Sequence, residues 1–212
     1  MSLGSPRLAV LDYGIGNLRS AQKALEHVGA SATLTADPSV IEAADAVVLP
    51  GVGAFGRCRE ALAETGLDRV ALDAVASGRP FLGICIGMQL LYDESEESPG
   101  VEGLGVLPGV VRRLPAEVKH PQMQWNRLDI TGNSPLFDGL GERPWMYFVH
   151  SFAAEATDDV IATVDYGGPV TAAAQRGSVM ATQFHPEKSG RGGLAVLENF
   201  VRLAGRTAQE ND

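Results

Sequence analysis

Along the first half of the chain, short runs apolar on both faces alternate with stretches whose apolar residues recur at helical spacing. Leu8, Ala9, Val10 and Leu11, ending at Asp12, read as a buried strand, and residues 32–35, 46–49 and 81–84 read as three more. Leu18, Ala21, Ala24, Leu25 and Val28 keep to one face of a helix, with Asn17 placed to cap its start and Gly29 to close it. Asp37 and Pro38 mark a turn. Residues 56–77 form a helical region ended by Gly78, and residues 86–92 return to helical spacing. Strands buried on both sides and separated by helices predict a parallel sheet covered on both faces.

The second half changes character. Short β-like runs at 110–114, 126–130, 145–149, 160–164 and 179–184 are separated by turn residues. A last helix spans 192–203, amphipathic through Leu194, Leu197, Phe200, Val201 and Leu203. The predicted class is α/β: an open, mostly parallel sheet with helices on both faces and antiparallel additions in the C-terminal half. No repeat or linker divides the chain. One domain over residues 7–204 is expected, with flexible tails at 1–6 and 205–212 and fraying from Thr207.

A length of 212 residues allows one large domain with a real core. The net charge of −9 argues against partners met through nucleic-acid phosphates or anionic membrane. Two cysteines imply no disulfide framework and suit a reducing cytosol. Residues 1–6 lack the apolar core of a signal peptide, and no run approaches the roughly 18 apolar residues of a membrane span. A soluble cytoplasmic protein is the expectation.

Chemistry concentrates where the fourth strand ends. Gly83-Ile84-Cys85-Ile86-Gly87 is a cysteine version of the Gly-x-Ser-x-Gly nucleophile elbow, a strand, sharp turn and helix. Glycines let the flanking chains approach where a Cβ would clash. A cysteine at a helix N-terminus gains thiolate character from N–H groups and the macrodipole, and a thiolate attacks carbonyl carbon. A buried cysteine packed as a small hydrophobe is the plainer alternative. Of four histidines, His27 reads as a surface or edge residue of the first helix. His185 follows a strand end, a usual place for functional groups in open α/β sheets. Glu187, two residues on, falls on the same side of an extended chain and is placed to orient the imidazole. A hydrogen-bonded loop histidine beside a solvated glutamate stays open as the other reading. Gly51 and Gly53, in Pro50-Gly51-Val52-Gly53, expose backbone N–H groups suited to a developing oxyanion, although glycine content alone favours a plain turn. Phosphate binding is a weak match there, since no Lys-Ser or Lys-Thr follows. Cys58 reads as core, and residues 93–97 as a solvated acidic loop.

Together, the elbow, the Pro50-Gly51-Val52-Gly53 loop and His185-Pro186-Glu187 resemble class I (triad) glutamine amidotransferases. Nearly the whole chain resembles one branch, the glutaminase subunits of imidazole glycerol phosphate synthase in histidine biosynthesis. The branch cues are residues 12–18, 50–55, 121–126, 147–151 and 183–189. The resemblance implies that Cys85 attacks the amide carbon of glutamine while His185, oriented by Glu187, shuttles the proton. Ammonia leaves, and water then hydrolyses the glutamyl thioester. Backbone N–H groups near Val52 and Ile86 would hold the oxyanion. Gly51, Gly53, Gln89, His150, Ser151 and Phe152 would hold the amino and carboxylate groups of glutamine. No metal or cofactor is implied. The implied partner is a separate (β/α)8-barrel cyclase in a heterodimer, with Trp125, Tyr147 and Lys188 toward it. For those three, local packing or a solvated charge is the alternative. Ammonia would pass inside the complex to a nucleotide, giving imidazole glycerol phosphate and aminoimidazole carboxamide ribotide.

One departure stands out. The family usually reads Pro-His-Met-Gly-Trp-Asn where this chain has Pro121-Gln122-Met123-Gln124-Trp125-Asn126. Neither replacement is at a triad position; what they bear on is the loop's conformation and its fit to the partner. Three rivals remain at this stage: a glutaminase of the pyridoxal phosphate, anthranilate or purine pathways, a stand-alone cysteine hydrolase, and a catalytically dead regulatory module.

Overall fold

The computed structural model describes residues 5–210. Its centre is an eight-stranded sheet. Five strands run parallel: β1 (Arg7–Leu11), β2 (Ser31–Thr35), β3 (Ala46–Gly51), β4 (Phe81–Cys85) and β13 (Val179–Thr182), in the order β2-β1-β3-β4-β13. Beyond β13 the sheet continues antiparallel through β12 (Pro169–Arg176), β11 (Val160–Asp165) and β8 (Asp129–Ile130). A three-stranded sheet joins β10 (Phe152–Ala154), β6 (Val110–Arg113) and β5 (Glu94–Ser95), and a two-stranded ribbon joins β7 (Gln122–Arg127) to β9 (Trp145–His150).

Helix α1 (Leu18–His27) meets the last helix, α6 (Gly190–Glu210), while α2 (Pro38–Glu42) and α3 (Phe55–Glu64) meet α4 (Leu67–Ala76). These two helical groups cover a sheet whose strands β3 and β4 are buried at every residue. Phe55, Phe81, Tyr92, Phe148, Phe184 and Phe200 lie wholly inside. The α/β class and its antiparallel C-terminal additions are as the sequence predicts. Among the described residues, no helix is long and apolar enough to cross a membrane.

Several elements differ from expectation. The helical region 56–77 is two helices, because Gly66 turns left-handed (φ +69°) between them. The helix after Cys85 is a single turn, α5 (Ile86–Gln89). It stops because the carbonyls of Leu90, Leu91 and Tyr92 accept from Leu104, Val106, Leu107 and Gly105 instead of continuing the helix. The run 126–130 is split between β7 and β8, which belong to different sheets. Strand β12 was not foreseen, since its buried centre is alanine, a poor strand former by propensity. Asn17 caps α1 only through its carbonyl, which accepts from Ser20 and Ala21; its side chain makes no capping bond. Residues 205–210, expected as part of a loose tail, continue α6, while 1–4 and 211–212 lie outside the described residues.

Candidate active site

The sheet register brings the candidate groups together. Gly51 at the end of β3 pairs with Cys85 at the end of β4, and Ile84 pairs with Thr182 at the end of β13. The carboxyl ends of three adjacent strands therefore deliver the 50–53 loop, Cys85 and residues 183–187 to one place, where open α/β sheets bind ligands.

Cys85 is the only non-glycine residue at positive φ among the described residues (φ 56°, ψ −110°). Such a backbone costs about 1–3 kcal/mol and persists only where its surroundings fix it. Here they do. Any side chain at Gly87 would overlap the Leu49 carbonyl oxygen, and one at Gly83 would meet the Gly87 carbonyl oxygen at 2.8 Å. The strained turn holds the nearly buried sulfur at the wall of a cleft of about 550 Å³. With one helical turn behind it, the macrodipole expected at Cys85 shrinks to that turn's N–H groups.

His185 and Glu187 meet, but not through strand alternation. Pro186 starts a 3-10 turn over Pro186–Lys188 that folds Glu187 back under the imidazole. The His185 Nδ1–H donates to Glu187 Oε1 at 2.8 Å, and both side chains are buried. Ser189 fixes the turn: its hydroxyl donates to the His185 carbonyl at 2.6 Å and accepts from the Tyr147 N–H at 3.0 Å. Burial pulls the His185 imidazole toward the neutral form. Interactions with Cys85 and Glu187 outweigh it and raise the pKa to about 9. The ring is therefore held as a cation at neutral pH.

His150 also lines the cleft but behaves oppositely. Burial drives its pKa down to about 4, against its bond to the Phe152 carbonyl (2.9 Å) and with added repulsion from His185. Its Nε2 is buried without a hydrogen-bond partner. Gln122, directly across the ribbon, is wholly buried with both amide atoms unpartnered, whereas Gln124 is exposed.

Val52, Gly53, Ile86, Gln89, Ser151 and Phe152 also line this cleft, with Lys188. Gly51 does not. A Cβ there would meet Tyr13 Oη at 2.7 Å and Ile86 Cβ at 2.9 Å, so this glycine serves close packing under the loop. Trp125 and Tyr147 stand outside the cleft on the ribbon, edge to face at 6.1 Å. Their face also carries exposed Met123 and Trp145, with Arg127 stacked over Trp145 at 5.1 Å.

Sequence reasoning missed two residues here. Glu97, assigned to a solvated loop, lines the cleft, and its Oε2 accepts from the Phe55 N–H at 2.8 Å. It caps α3, whose N-cap, Ala54, has no side chain able to do so. That uncapped start, just after the 50–53 loop, was the available signal. The loop is held further by Tyr13 Oη donating to the Pro50 carbonyl (2.7 Å) and by the Cys58 thiol donating to the Val52 carbonyl (3.3 Å). Burial raises the pKa of both donors, so they stay protonated. The second missed residue is Gln183, wholly buried, whose Nε2 lies 3.8 Å from Cys85 Sγ. Among the described residues, no group of three or more His, Cys, Asp and Glu is placed to hold a metal ion.

An elbow cysteine beside a buried His–Glu pair, on this sheet, defines a cysteine-dependent amidotransferase. The family model for class-I glutamine amidotransferases matches residues 9–204, and the chain belongs to that family. Within it, the chain is similar to the protein named imidazole glycerol phosphate synthase subunit HisH in Methanothermobacter thermautotrophicus, 52% identical over 197 residues, covering 92% of this chain and 98% of the relative. The protein of the same name in Syntrophotalea carbinolica is 50% identical over 202 residues, covering 91% and 98%. Among solved structures, PurLQS from Thermotoga maritima shares the fold, with a TM-score of 0.74 at 22% identity, covering 93% of this chain and 98% of that one.

Proposed function

We propose that the chain is the glutaminase subunit of an imidazole glycerol phosphate synthase, with residues 7–204 as its catalytic domain. One observation carries the reading: Cys85 on its strained elbow shares a cleft with the buried His185–Glu187 pair. The Cys85 thiolate attacks the side-chain carbonyl carbon of glutamine, forming a C–S bond and moving the π electrons onto oxygen. N–H groups at Val52 and Ile86 receive that oxyanion. The His185 imidazolium gives its Nε2 proton to the departing nitrogen, the C–N bond breaks, and ammonia leaves. Water then attacks the thioester, giving its proton to Nε2. The C–S bond breaks, releasing glutamate and restoring the thiolate. Glu187 holds the ring and its charge throughout. Gly51, Gly53, Gln89 and the segment His150, Ser151 and Phe152 hold the substrate's amino and carboxylate groups.

Ammonia passes to a (β/α)8-barrel cyclase that makes imidazole glycerol phosphate and aminoimidazole carboxamide ribotide. The names of the relatives support that partner. Trp125, Tyr147 and Lys188, extended by Met123 and Trp145, form the face toward it. Two free cysteines fit work in the cytoplasm. The test is glutamate release from glutamine by the chain alone, with the cyclase, and with cyclase plus its nucleotide. A strong rise in the ternary mixture, abolished by Cys85→Ala in a chain that stays folded, supports the reading. Turnover that survives Cys85→Ala refutes it, and turnover indifferent to the cyclase refutes the pathway.

A further inference from the structure

The geometry points to Gln183 as a catalytic residue: its side-chain N–H donates to the Cys85 sulfur and stabilises the thiolate. The orientation of this amide follows from its neighbours. Both N–H bonds of the Gln89 amide are committed, one to the Phe152 carbonyl at 2.9 Å and one to Gln183 Oε1 at 2.9 Å. With its oxygen occupied by that donor, Gln183 must turn its NH2 toward Cys85, where Nε2 stands 3.8 Å from Sγ. Sulfur is large and diffuse, and its hydrogen bonds are correspondingly long. Gln183 is wholly buried, so water does not compete for this donor. Its backbone is fixed as well, by an N–H bond to the Ala172 carbonyl at 2.8 Å. A neutral donor suits the position. It favours the anionic sulfur over the thiol, yet adds no charge beside the cationic His185. It also acts from a different side-chain chain of contacts than His185 does. The titratable groups around the sulfur include His185, with Glu187 behind it, Tyr13 and Cys58 at the 50–53 loop, and Glu97, His150 and Lys188 in the cleft wall. The hydrogen bonds of the Gln183 side chain, to Gln89 and Cys85, involve none of them.

The inference rests on the glutaminase reading, but its test does not need glutamine. Iodoacetamide alkylation of Cys85, followed by intact mass against pH in the full-length chain, reports thiolate directly. Gln183→Met keeps the side chain's length and removes the donor. Its alkylation midpoint is expected to rise by about one pH unit, so that alkylation below the midpoint slows about tenfold, the weight of one hydrogen bond to a charged group. Above both midpoints the rates converge, which a general loss of structure would not produce. Gln183→Glu places an oxygen where the donor was and moves the midpoint further in the same direction. An unchanged midpoint in either folded variant overturns the assignment. Should neither variant fold, the wild-type chain decides. The Gln183 side-chain amide protons must shift in 1H–15N spectra through the same midpoint as Cys85 alkylation; shifts indifferent to it overturn the assignment. Failure of the glutaminase reading shows separately, as turnover surviving Cys85→Ala.

Discussion

His150 makes a prediction about acid stability whose size follows from its burial. Its pKa is about 4 in the folded chain, against about 6.5 for an unperturbed histidine. Between those values the unfolded chain binds a proton that the folded chain refuses. Stability therefore falls as pH drops through that window, and the contribution vanishes above it. Acidification from about pH 7.5 to about pH 5 costs about 2 kcal/mol from this residue alone, by linkage. His150→Gln removes the titration while keeping an N–H for the Phe152 carbonyl. Urea unfolding of both proteins at both pH values gives the answer as a double difference. The other histidines and the carboxylates contribute to both proteins and cancel. The variant starts less stable near neutral pH but is expected to lose about 2 kcal/mol less on acidification. Equal losses in the two proteins, within about 0.5 kcal/mol, would refute the claim that His150 is held neutral by its surroundings.

Two further outcomes test the triad and the elbow. His185→Asn is expected to lower cyclase-stimulated glutamate release by about 10³ or more, and Glu187→Gln by at least tenfold less, because an orienting group contributes less than the proton carrier; equal losses would revise the role of Glu187. Gly87→Ala drives a methyl into the Leu49 backbone and is expected to cost at least about 3 kcal/mol in urea unfolding. Gly205→Ala, with nothing within 4 Å, serves as its neutral-to-stabilising control.

The parts of this fold legible in the sequence are those where one local rule sufficed. The runs 46–49 and 81–84 are apolar on both faces, and only a covered parallel strand satisfies that over so short a length. Gly83-Ile84-Cys85-Ile86-Gly87 announced its elbow because both close approaches need glycine. The illegible parts depend on contacts distant in sequence. The length of α5 is set by residues 104–107 capturing its following carbonyls. Strand β12 has a buried, alanine-rich centre, and its place is set by pairing with β11 and β13 rather than by propensity. Glu97 looked solvated because its acceptor role is defined by Phe55, 42 positions away. The spacing of His185 and Glu187 suggested the right pair for the wrong geometry, since a 3-10 turn rather than an extended strand joins them.

The opposed states of the two cleft histidines belong to one electrostatic design. A buried cation is tolerable where favourable partners surround it, and His185 has Glu187 on Nδ1 and Cys85 nearby. His150 has only a carbonyl to donate to and a positive neighbour to repel it. Charging it would place a second buried cation without a counter-ion, a cost that its depressed pKa expresses. On the proposed reaction this asymmetry is useful. Glutamine arrives with its own ammonium group, and a neutral His150 leaves that group unopposed while its bare Nε2 can only accept. The proton that leaves with ammonia must come from a group protonated at working pH, and His185, its pKa raised to about 9, meets that need beside Cys85. The same fold thus separates proton delivery from substrate holding by giving two identical side chains different neighbours.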